Sequence, residues 1–257
     1  METSEWGKCA AGAITLRKNR HTMNKAKTIL SSFVLLAALL APGGSGLRAQ
    51  DQSKLALDKF FSPSTSVPMS PDEDGFIRRW TLLEPISMQL TTNAIFTDSY
   101  IRETFYKEYF KGQFTAVPKD GEKVKLDRKT RLKWHALDSK LFNVKLFRFA
   151  TNLSDSGYGV LFWAVTVIDC PEELSGVRMA VGSNSASMWW LNGEEAVVLS
   201  GDRRMVMDDC TSGLLTLKKG RNIVRGAVIN GPGMSDFCLR FIDSEGNPVK
   251  NIKIISE

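Results

Sequence analysis

Between residues 131 and 242 the chain breaks into short runs of β-forming residues, with a turn signal about every ten residues. Leu132, Trp134 and Ala136 alternate with Arg131, Lys133 and His135, the period of a half-buried strand. Residues 160–168 are continuously apolar and rich in β-branched side chains, as in a strand covered on both faces. Val177, Met179 and Val181 alternate again. Residues 187–191 lead into Asn192-Gly193 and a return strand over 195–199. That dipeptide is a strong hairpin signal, because both central residues of a type I′ turn need positive φ. Lys218-Lys219-Gly220-Arg221 marks another hairpin, and Asn230-Gly231-Pro232-Gly233 separates strands over 223–229 and 237–242. This pattern predicts an all-β fold, an antiparallel β-sandwich or jelly roll.

Upstream, residues 76–83 are rich in β-formers, and Ile86, Met88 and Leu90 alternate with polar residues, so both read as strands. One short amphipathic helix is expected. Asp98 would cap it, Ile101, Phe105 and Tyr109 would form one stripe with Tyr106 and Phe110 beside it, and Gly112 would stop it. An aromatic stripe at that spacing is core packing. Asp72-Glu73-Asp74-Gly75 resembles the start of a calcium loop, but Leu83 stands where an EF-hand loop needs Glu, so it reads as a solvated turn.

The net charge of +6 invites a nucleic-acid reading until its location is checked. Residues 1–49 carry seven basic and two acidic side chains, which leaves 27 against 26 over 50–257, a net of +1. No nucleic-acid partner is expected from so even a balance. The excess belongs to an export signal: Lys25 and Lys27 precede a thirteen-residue apolar run over 29–41, interrupted only by Ser31 and Ser32, then Pro42-Gly43-Gly44 and a small-residue site near Ala49. The run is shorter than the ~20 residues of a spanning helix. The chain therefore divides into an upstream extension (1–22), a signal peptide (23–49), a polar lead (50–75) and a β-sandwich domain (76–257). A periplasmic or extracellular location follows, with the membrane involved only through the export signal.

Catalytic marks are sparse. GxSxG and phosphate-cradling glycine loops are absent, and His135 is the sole histidine after residue 49. By alternation it falls on the polar face of its strand. Asp169, Asp208, Asp209 and Asp236 are carboxylates of the kind glycosidases use, but spacing does not pair them across a cleft. Cys170, Cys210 and Cys238 show no CxxC pattern, so no metal or other cofactor is expected; they read as small buried side chains, and if a bridge forms it is Cys210–Cys238. Trp80, Trp134 and Trp163 read as core. Trp189 and Trp190 are adjacent in one strand and must face opposite ways. Trp189 shares parity with Leu191 and faces the core, which leaves Trp190 for an outer or groove position.

The run GSNSASMWWLNGEEAVV from Gly182, then Arg203-Arg204, Asp208-Asp209 and LLTLKKGRNIV, resembles the galactose-binding-like jelly-roll modules, with their Trp-Leu-Asn-Gly and Lys-Gly-x-Asn hairpins. SDFCLRFIDSEGNPV resembles the closing strand, and Trp80-Thr81-Leu82-Leu83-Glu84-Pro85 is similar to the opening of the extended type. The chain departs from the pattern at Asn184-Ser185, where an acidic pair is common, and at Arg225-Gly226, where an aliphatic-Lys pair is. Such modules accompany secreted glycoside hydrolases and acetylxylan or feruloyl esterases. The resemblance implies a non-catalytic carbohydrate-binding module for polysaccharide capture or support of a glycan-degrading enzyme. Trp190 would stack on the sugar, Arg203 and Arg204 would donate to its hydroxyls or a uronate, and Asp208 would accept. Two alternatives stay open: an acetylxylan esterase-like enzyme or its remnant, and an assembly protein that docks through a sheet edge or the 98–111 helix without glycan affinity.

Overall fold

The computed structural model describes residues 57–153 and 157–257. The upstream extension, the signal peptide and the first residues of the lead lie outside them. The described chain is an antiparallel β-sandwich. Its larger sheet runs in the order β1 (Phe61–Pro63), β5 (Arg131–Ser139), β2 (Arg79–Leu83), β6 (Val160–Cys170), β12 (Gly220–Asn230), β8 (Ala186–Leu191) and β9 (Glu194–Leu199). Short β3 (Ile86–Ser87) and β14 (Lys253–Ile255) also pair with β6, and β4 (Lys123–Lys125) pairs with β5. In the smaller sheet β7 (Leu174–Ser183) is central, with β13 (Phe237–Ile242) on one edge and β10 (Cys210–Thr211) and β11 (Leu215–Leu217) along the other.

The larger sheet is buried on both faces. Its inner face meets the smaller sheet around Trp80, Phe162, Trp189, Phe237 and Phe241. Its outer face carries Trp134, Trp163, Trp190 and Met188 under Phe105, Phe110 and Phe114, contributed by helix α1 (Asp98–Tyr106) and the strap that follows it. Residues 160–168 therefore read correctly as a strand covered twice, since successive residues alternate between two cores. Asn192 and Gly193 both adopt positive φ, as a type I′ turn requires.

Several expectations need correction. Helix α1 is capped by Thr97, whose Oγ1 accepts from Tyr100 N (3.3 Å), while Asp98 sits one residue inside and pairs with Arg102. It ends at Tyr106, well short of Gly112. A second helix, α2 (Leu146–Leu153), was not expected; Leu146, Phe149 and Ala150 are its buried face. The strand beginning at Ile86 is only two residues long, because Gln89 turns at positive φ. Within the polar lead, Phe61 is buried and β1 pairs along β5, so this stretch is part of the sandwich. The Asp72 turn is as expected: its carboxylate caps Asp74 N (3.1 Å) and Phe76 N (2.8 Å).

The Cys210–Cys238 bridge does not form; Cys238 is a free, buried thiol, as is Cys170. Cys210 pairs with Val181 and Cys238 with Gly182, on opposite edges of β7. Two interstrand spacings, about 9.5 Å, separate them, and alternation points them to opposite faces, whereas a disulfide needs Cα atoms within about 7 Å.

Candidate ligand cleft on the outer face

The sequence-predicted residues do not form one site. Trp190 is 3% exposed. It faces away from Trp189 as its parity requires, but α1 and the strap cover that face, so it is core and not an open platform. It stacks on Trp163 (centroids 5.7 Å apart, planes 19°) and meets the edges of Phe114 and Tyr106. Arg203 is tied to Asp209 (2.7 Å) and Ser200 O (3.3 Å). Asp208, at positive φ, is held by a bidentate contact from Arg240. Arg204 is exposed. The three belong to the 200–209 segment over the smaller sheet. There the carbonyl of Val206 lies so close to Gly182 that a Cβ would meet it at 1.8 Å. Asp236 is paired with Lys145 (2.8 Å), so three of the four carboxylates face cations and not one another. His135, half-buried, shares a 3.0 Å hydrogen bond with Glu84 and has no hydroxyl or thiol bonded to it among the described residues.

A cavity of about 330 Å³ opens elsewhere, at the end of the outer face where the strap gives way to two hairpins. Phe114 and Thr115 form one wall, the Asn192-Gly193 turn a second, and Lys218, Arg221, Ile223 and Arg225 the rest. The strap is fixed by the buried amide of Gln113. Its Oε1 accepts from Tyr109 N (2.8 Å) and its Nε2 donates to Lys107 O (2.9 Å). Phe114 is then pressed edge-on against Trp163 (5.8 Å). The hairpins are stapled together: Asn192 Nδ2 donates to Asn222 Oδ1 (2.9 Å) and Asn192 Oδ1 accepts from Ile223 N (2.8 Å). Asn222 in turn donates to Lys218 O (2.7 Å) and Gly220 O (3.1 Å). The asparagines of the two hairpin motifs are thus structural, and they make the cleft wall rigid.

Arg225 lies at the back of the cleft. It sits opposite Val165 of β6 and Trp190 of β8, on the outer face, and is 4% exposed. Its Nη2 donates to Ala116 O at 2.6 Å, which pins the strap. Burial pushes its guanidinium down to about 10, so it stays cationic at neutral pH. Lys218 and Arg221 are exposed at the rim, and Arg221 also reaches Glu257 (2.7 Å). Phe114, Thr115, Lys218, Arg221 and Arg225 were not expected as site residues. The available signals were the two Asn-bearing hairpins and the Arg225-Gly226 departure. Phe114 and Thr115 could not be found that way, because only the tertiary path of the strap brings them there.

No protein-family model matches the chain, and no curated protein matches it. Among solved structures, the PA14 sugar-binding domain from an RTX adhesin is similar with a TM-score of 0.36 and 8% identity, over 70% of this chain and 99% of that one. The PA14 domain of the MpAFP antifreeze protein has a TM-score of 0.35 and 11% identity, over 74% and 92%. A β-glucosidase from Kluyveromyces marxianus has a TM-score of 0.29 and 20% identity, over 49% of this chain but only 13% of that one. These likenesses are remote; the sandwich assignment stands on the strand pairing itself.

Proposed function

We propose that this chain is an exported, carbohydrate-binding β-sandwich module of galactose-binding-like type, and that its ligand enters the cleft between the strap and the two hairpins. The observation that carries the reading is the cleft itself. An aromatic ring, a hydroxyl and several N–H donors converge on one rigid concavity, the mixture that lets C–H faces of a sugar pack while its oxygens are bonded. The volume is at the low end for small-ligand sites, so roughly one or two sugar units would enter while the rest of a polysaccharide lies along the surface. Capture of a polysaccharide, alone or for a glycan-degrading enzyme, is the role this suits.

The test is affinity electrophoresis and a glycan array with the exported form and its Thr115→Trp variant. Thr115 is exposed, so the variant fills the cleft without touching either core. Binding of at least one polysaccharide that Thr115→Trp abolishes supports the proposal. Binding to none, or binding indifferent to the substitution, overturns it.

A further inference from the structure

Resting on that cleft as the binding site, we infer that the sugar it takes carries a carboxylate, a uronate unit, and that the Arg225 guanidinium receives it. Three cationic side chains line the cleft and no carboxylate does. Of the acidic groups nearby along the chain and sheet, Glu195 accepts from Arg102 (2.5 Å) and Tyr106 (2.9 Å), Glu257 faces Arg221, and Glu194, exposed beside Gly193, is not part of the lining.

Arg79 supplies an internal comparison. It is also 4% exposed on the larger sheet, but it meets Asp138 through Nε (2.7 Å) and Nη2 (2.9 Å), a bidentate pair that compensates its burial. Arg225, buried to the same extent, has only a neutral carbonyl among the described residues. Removing a guanidinium from water without a counter-charge is unfavourable. A carboxylate arriving through the cleft would complete at Arg225 the pairing that Asp138 already provides at Arg79. The planar fork of a guanidinium matches a carboxylate in two parallel bonds, while Phe114 and Thr115 would face the sugar ring.

The experiment is calorimetric titration with polygalacturonate, alginate and glucuronoxylan oligomers, each beside its carboxyl-reduced counterpart, and with a sulfated neutral glycan. The expected result is that one uronate oligomer binds about thirtyfold or more tightly than its reduced form. Arg225→Gln, which keeps an amide N–H donor but removes the charge, should abolish that preference, so that the acidic and reduced forms bind alike. Lys218→Ala, at an exposed position, should weaken the uronate by about two- to fivefold, and should fold whatever becomes of Arg225→Gln. Equal affinity for acidic and reduced forms, or tighter binding of the sulfated glycan, overturns the uronate assignment and leaves the cleft as a sugar site. Binding to none of the polymers, acidic, reduced or sulfated, overturns both.

Discussion

Trp190→Ala separates a core tryptophan from a binding platform. Trp190 fills the outer-face core between Trp163, Phe114 and Tyr106, and is 3% exposed. Truncating a buried Trp to Ala generally costs about 3–5 kcal/mol, from lost transfer free energy and the cavity left behind. Three aromatic contacts are lost at once, each worth about 0.5–1.5 kcal/mol beyond its area, which places this site at the upper end. In a domain of this size each kcal/mol lowers Tm by about 2–4 °C, so a fall of roughly 10–15 °C is expected. Thermal unfolding by far-UV circular dichroism measures it, and near-UV spectra should lose the signature of the stacked Trp163–Trp190 pair. Trp190→Phe should recover about half of the loss. A Trp190→Ala protein within ~2 °C of wild type that had lost glycan binding would refute the packing argument and restore Trp190 as an exposed platform.

Other perturbations test separate parts of the fold. In Gly226→Ala the new Cβ would stand 2.2 Å from the ring of Trp189, which is fully buried between Trp80 and Phe237. A loss of about 2–3 kcal/mol by chemical denaturation is expected, and Trp189→Leu in the same chain should relieve part of it; strictly additive effects would contradict the contact. Burial raises the pKa of Asp236 despite its Lys145 partner. The folded state therefore holds this proton more tightly than the unfolded state, and the group's contribution is most favourable at low pH and is lost as pH rises through the raised value. Relative to Asp236→Asn, the wild type should gain Tm between pH 7 and about pH 4; a gap that is constant or widens with rising pH would contradict it. Burial also pushes the thiols of Cys170 and Cys238 up, to about 11 and about 12. Both should resist iodoacetamide in the native protein and react after unfolding, as peptide mapping would show.

The sandwich was legible because its determinants are local. The alternation in β5, the twice-covered run of β6 and the Asn192-Gly193 turn each report a backbone state through a few consecutive residues. The parity of Trp189 and Trp190 was legible for the same reason. The covering of Trp190 was not, since it depends on where residues 107–117 travel after α1, and strand parity carries no information about a second layer. The Cys210–Cys238 pairing failed similarly: sequence separation does not reveal that β7 runs between them. Helix α2 did carry a signal, with Leu146, Phe149 and Ala150 spaced i, i+3, i+4, but it is short and stands amid strand signals. The resemblance groups Arg203, Arg204 and Asp208, yet in the folded chain Arg203 is taken by Asp209 of the same loop and Asp208 by Arg240 of β13. The unusual residue is Arg225, whose significance lies in the counter-charge it lacks, a property visible only once its surroundings are in place.

The most direct test of the cleft is to follow arginine Nε–Hε resonances by NMR while a uronate oligosaccharide is added. Arg225 should shift, together with the backbone amide of Thr115, while Arg203 and Arg240 stay where they are. Shifts confined to Arg203 and the 200–209 segment, with Arg225 unmoved, would place the ligand on the opposite side of the sandwich and contradict the assignment.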